Sequence, residues 1–193
     1  MRELSIIDPE FAAGVSESFA KFNTADPDLR GAIALAESVT HNDFSTLEGS
    51  LSSLTNDEDR TKLISAMGWL RGDTNLAGVL ELIRNERIKK QDTFMFYTAA
   101  CANPKAREFM LDHLEFAVSQ LRRVFVDTGT PSRVLEQMIP LLGIGREDRI
   151  LARVNRLRSS DIETGIEKGI ELLEVYSKFV RENGGEAGAS FHG

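Results

Sequence analysis

With 193 residues, 41% of them hydrophobic and 27% charged, the chain is long enough for one substantial core or for a linear stack of helix pairs. A net charge of −7 and a pI near 5.1 argue against nucleic acid or an anionic membrane as the main partner, because phosphate binding needs clustered positive charge. No window reaches the ~18 apolar residues of a membrane span, the first residues from Met1 do not read as a signal peptide, and a lone cysteine, Cys101, fits a reducing, cytoplasmic setting.

Helix-start signals recur along the chain. Asp8-Pro9-Glu10 opens a stretch with Phe11, Val15, Phe19 and Phe22 on one face, and Asp26-Pro27-Asp28 opens a second with Ile33, Leu35, Ala36 and Val39. Asn42 precedes Phe44, Leu47 and Leu51, and Asn56 precedes Leu63, Ile64 and Met67. Gly72 closes the fourth helix, and Leu76, Val79, Leu80 and Ile83 carry a fifth. Between Thr93 and Ala102 almost every side chain is apolar, so the sixth helix must be covered on most sides; Cys101 reads there as a small buried hydrophobe. Asn103-Pro104 turns the corner into a seventh, long amphipathic helix through Met110, Leu114, Leu121 and Phe125.

Asp127-Thr-Gly-Thr-Pro131 is the clearest break, after which Val134, Leu135, Met138 and Ile139 form an eighth helix that Pro140 is expected to end or kink. Ile150, Leu151, Val154 and Leu157 form a ninth. Ser160-Asp-Ile-Glu163 has the form of a capping box and launches a tenth through Leu173 and Val180. No run alternates with period two, so the expected fold is all-α. About ten antiparallel helices in series suggest an irregular right-handed α-solenoid, HEAT-like at most, as a single domain over 1–183 with a disordered tail at 184–193.

Catalytic constellations are scarce. His41, His113 and His192 lie in separate segments, and His113-Leu-Glu-Phe-Ala117 fails as an H-E-x-x-H motif because its glutamate is misplaced and its second histidine missing. The one charge pattern of note is Arg146, Arg149, Arg153 and Arg156 at helical spacing. It reads either as a solvated face paired with neighbouring acids or as an anion site, for example for a peptide carboxylate.

Several segments resemble a known family. Asp26-Pro-Asp-Leu-Arg30-Gly-Ala-Ile is similar to the P-x-D-L-R-x-x-V segment of zinc aminopeptidases of the puromycin-sensitive, alanyl and endoplasmic-reticulum type. Ile88-Lys-Lys-Gln91-Asp92 resembles their I/V-R/K-x-Q-D/E element, and Asn103-Pro-x-x-Arg107-x-Phe-Met and the closing helices match in order. The likeness covers residues from about 6 to 182, falls in the C-terminal helical domain, and is best with the compact archaeal tricorn-interacting factors.

The resemblance implies a non-catalytic C-terminal domain that walls and lids the peptide cavity of a larger enzyme and governs access. It implies no cofactor and no catalytic residue in this chain, since zinc and the substrate-amine motif belong to an upstream catalytic domain. The implied partners are that domain and peptide substrates, and an excised domain would expose a formerly docked apolar face, which allows a homodimer. Arg30 either faces the cavity or braces two helices, with bracing favoured. Arg30, Arg149, Arg153 and Arg156 are the candidate peptide-binding residues, and Asp26, Asp92, Asn103 and Ser160 the structural caps. The alternative is a stand-alone helical-repeat scaffold that binds a protein partner on its concave face.

Overall fold

A computed structural model describes residues 2–126 and 128–187, all of it helix, turn or loop. Among the described residues there are twelve α-helices, two 3₁₀ segments and no strand, an all-α architecture. Backbone contacts divide the chain into two compact units, Met1–Met110 and Leu111–Gly193.

The first unit begins with α1 (Arg2–Ile7), α2 (Pro9–Ser16) and a 3₁₀ segment (Glu17–Thr24), followed by α3 (Pro27–His41), α4 (Phe44–Ser53), α5 (Asp57–Met67), α6 (Asp73–Arg84) and α7 (Thr93–Ala102). Several starts have a local cause. Asp8 accepts from the N–H groups of Glu10 and Phe11, Asp26 from that of Asp28, and Asn56 from those of Glu58 and Asp59. Asn42 does not open α4. It ends α3 in the left-handed region at φ 54°, a conformation asparagine tolerates, and Asp43 caps α4 instead, accepting from Ser45 N–H at 2.9 Å.

Helices in this unit pack mainly on near neighbours in sequence: α2 on α3, α3 on α5, α5 on α7, and α4 on α5 and α6. The expected burial of the sixth stretch, now α7, is observed: Phe96, Tyr97, Ala100 and Cys101 are all inaccessible. Gly68 explains the close approach of α5's end to α7, since a Cβ there would lie 2.6 Å from that of Ala99. The Tyr97 hydroxyl is buried without a hydrogen-bond partner, and burial pushes both it and the Cys101 thiol well above their ordinary ionisation ranges.

The division between units falls inside α8 (Arg107–Asp112). The single long helix expected after Asn103 is two, α8 and α9 (Leu114–Val124), because the backbone leaves helical values at His113 (φ −103°, ψ 11°). The second unit continues with α10 (Thr130–Gly143), α11 (Glu147–Leu157) and α12 (Glu163–Ala187). Pro140 does not end α10. The helix runs three residues further, and the Pro140 carbonyl still accepts from Ile144 N–H at 3.2 Å.

The pairing of α10 with α12 is the largest in this unit. Glycines on one face of α12 allow it: a Cβ on Gly169 would sit 2.9 Å from that of Ile139, and one on Gly165 would overlap the backbone of Ser132. Of the tail expected from residue 184, the backbone to Ala187 continues α12, and 188–193, with Phe191 and His192, lie outside the described residues, as does Asp127 in the expected break.

Candidate functional site

Three of the four segments with family-like patterns fold into corners of the first unit, where polar side chains tie helix ends together. Arg30, early in α3, donates from Nε to the Ala25 carbonyl at 3.0 Å and from Nη2 to the Asn23 carbonyl at 3.1 Å. Its Nη1 pairs with the Asp59 carboxylate on α5, whose side chain is 5% exposed. One guanidinium thus joins the segment before α3, α3 itself and α5. Arg30 is a brace, and the partner that makes it one, Asp59, is hidden in the sequence as the third acid of an ordinary N-terminal turn.

The Ile88–Asp92 link is held from several sides. Arg60 reaches from α5 to the Arg87 carbonyl at 3.0 Å and also takes the Leu51 carbonyl at 2.7 Å. Lys89 pairs with Asp57 at 2.6 Å, Arg87 with Glu48, and Ile88 is completely buried between these polar ties. Asp92 is not a cap. It lies in a 3₁₀ turn (Lys90–Asp92) with helical φ and ψ, whereas a capping side chain needs an extended backbone to fold back on the next turn. Burial raises its carboxyl above the usual range.

Asn103 does cap, and does more. Its Oδ1 accepts from Lys105 N–H at 3.0 Å, while Nδ2 donates to the carbonyls of Gly68 at 3.1 Å and Leu70 at 2.9 Å, with the residue 3% exposed. Those two carbonyls belong to the end of α5 and the loop after it, so the side chain serves both sides of the corner. Only the capping half was visible in the Asn-Pro pattern.

In the second unit the arginine stripe on α11 is matched by acids. Arg153 contacts Asp112 at 2.7 Å, Arg149 the same carboxylate at 3.7 Å, and Arg156 reaches Glu115 at 3.3 Å. The paired-face reading describes this geometry. Ser160 forms no capping box: α12 starts at Glu163, the Ser159 carbonyl takes the Ile162 and Glu163 N–H groups, and the Glu163 carboxylate pairs with Arg158 instead of folding back.

Open clefts occur among the described residues in both units. One of about 400 Å³ in the first unit has Phe19 and Phe22 with Thr46, Ser50 and Ser53 around it; one of about 430 Å³ in the second includes Arg122, bound through two nitrogens to Asp161 at 2.7 and 3.1 Å. Ser16, His41 and Glu37 also cluster, but the same histidine nitrogen faces both partners, at 3.4 Å to Ser16 Oγ and 3.7 Å to Glu37. A base–orienter pair needs both ring nitrogens, so this is not a nucleophile triad. Among the described residues no group of three or more His, Cys, Asp or Glu side chains is placed to hold a metal ion. No helix of the described residues is long and apolar enough to cross a membrane.

These features define an all-α module whose buried and half-buried charges brace helix ends. No family model matches the chain. It is 36% identical over 177 residues to the tricorn protease-interacting factor F2 of Thermoplasma volcanium, a match that covers 92% of this chain and 22% of that protein. The factor of the same name from Thermoplasma acidophilum is 33% identical with the same coverage, and a leucyl aminopeptidase of Saccharolobus solfataricus is 33% identical over 91% of this chain and 22% of its own length. Over nearly its whole length the chain is similar to part of each of these proteins, and it spans about a fifth of the length of the curated relatives it matches.

Proposed function

We propose that the chain is a non-catalytic C-terminal domain of a zinc-dependent aminopeptidase, and that it forms the wall and lid of the peptide cavity and governs substrate access. The observation that carries this reading is the coverage: nearly all of this chain matches only 22% of proteins named for aminopeptidase activity or for interaction with the tricorn protease. The remaining length of such an enzyme would hold the zinc and the substrate amine, in the cytoplasm, and this chain would limit which peptides reach them. The braced corners support the reading, because a wall must keep its shape while substrate passes. In this role Arg149, Arg153 and Arg156 would meet a peptide carboxylate only in competition with Asp112 and Glu115.

The test compares the 193-residue chain with the enzyme encoded by its complete reading frame. The chain alone should not hydrolyse aminoacyl-anilides, the complete enzyme should, and substitutions in this domain should change selectivity between long and short peptides more than the rate on anilides. Robust hydrolysis by this chain alone, with stoichiometric zinc, would overturn the proposal.

A further inference from the structure

The last helix is longer than anything beside it. α12 has 25 residues and α10, its main neighbour, has 14, so at 1.5 Å per residue α12 exceeds its support by about 16 Å. Its inner line, Ile166, Gly169, Leu173 and Ser177, is buried up to Ser177, whose hydroxyl bonds Glu147 at 2.6 Å. One turn later Val180, on the same line, is 46% exposed. Beside it Val175, Tyr176 and Phe179 are 61%, 44% and 64% exposed. At 100° per residue these four side chains cover an arc of roughly 140° next to the buried face, and Glu174, Lys178, Arg181 and Glu182 occupy the rest. The helix therefore has a packed side, a charged side and a third, apolar side that faces water.

We infer that this apolar side of α12 is a docking surface for the upstream part of the same polypeptide. The inference rests on the proposed function and adds to it the place of contact. The size of the patch separates the two occupants that its chemistry would accept. Four such side chains at these exposures present roughly 400 Å², about half of the ~800 Å² per partner that a stable free-standing interface needs. A second copy, free in solution, would be held too weakly. A covalently joined domain is present at an effective concentration in the millimolar range, and a patch of this size suffices to hold it. The relatives supply the length for such an occupant, since the chain spans 22% of them.

Hydrogen exchange over 175–187 in the 193-residue chain and in the complete enzyme tests the assignment. The α12 amides should exchange at least about tenfold more slowly in the complete enzyme. Phe179→Asp in the complete enzyme should remove that protection, while Glu174→Lys on the charged side should leave it. Equal exchange in the chain and in an active complete enzyme would overturn the docking surface and leave the proposed function standing. Protection that grows with concentration of the 193-residue chain alone would assign the face to a second copy and overturn the inference. A reading frame with no upstream aminopeptidase portion would overturn the proposed function itself.

Discussion

Replacing Asn103 with alanine removes three hydrogen bonds at once: one accepted from Lys105 N–H and two donated to the Gly68 and Leu70 carbonyls. Each bond contributes a net 0.5–1.5 kcal/mol, on the order of mutational averages, and leaving two carbonyls unpaired at a buried site adds to the loss. The capping bond by itself is worth about 1 kcal/mol, so the alanine variant should lose about 3 kcal/mol from the first unit. Urea unfolding followed by far-ultraviolet circular dichroism measures this directly, with the tryptophan emission of Trp69, in the loop that Asn103 holds, as a local probe. Asn103→Asp separates the two halves of the role. Aspartate keeps the acceptor for Lys105 but sets a carboxylate against two carbonyls, so it should be at least as destabilising as alanine. If Asn103→Asp were neutral, Asn103 would be only a cap, and the two-sided bracket would be wrong.

Four further outcomes follow from the same structure. Arg30→Met leaves the buried Asp59 carboxylate with only the more distant Lys62 ammonium at 3.8 Å and should cost about 3 kcal/mol, whereas Arg153→Met, at a more exposed pair, should cost under about 1 kcal/mol; paired chemical denaturations check both. Gly169→Ala forces a Cβ against Ile139 and Glu136 and should lose about 1 kcal/mol or more despite alanine's helix preference, while Gly14→Ala in α2, with open space around it, should gain up to about 1 kcal/mol in the same melts. Tyr97→Phe deletes a buried, unpartnered hydroxyl and should stabilise by about 1 kcal/mol; a loss of that size would mean the hydroxyl is bonded. Burial raises the Glu37 carboxyl above its usual value of 4.5, an effect that nearby His41 lowers and Asp43 adds to, so its contribution to stability is intact below pH 4.5 and is lost as pH rises through the folded-state value. Glu37→Gln should flatten that decline above pH 4.5, as read from unfolding midpoints.

The features legible in the sequence were those decided within one turn of helix. Asp8, Asp26 and Asn56 cap because a short side-chain acceptor, a proline or an acid, and the first free N–H groups all lie within three residues of one another. The apolar run at Thr93–Ala102 predicted burial because no other environment suits it. What local pattern could not carry was the identity of distant partners. Asp92 and Ser160 had the right residue types, but a 3₁₀ entry before α7 and the Arg158–Glu163 pair claimed the geometry a cap would have used. Arg30 read as one of two things until Asp59, 29 residues on, was seen to face it. The arginines of α11 had the spacing of an anion site, and only the fold showed Asp112 and Glu115 standing opposite.

The polar ties that hold these corners share one property: each joins residues a modest way apart in the chain. Arg60 to Arg87 spans 27 residues, Arg30 to Asp59 29, Asn103 to Gly68 35, and Arg153 to Asp112 41. Loops of such similar length differ in closure cost by under about 0.5 kcal/mol, so no single closure dominates. None of these four ties reaches across the whole chain, so the helices they join can lock one after another as they leave the ribosome, without waiting for a distant end to be made.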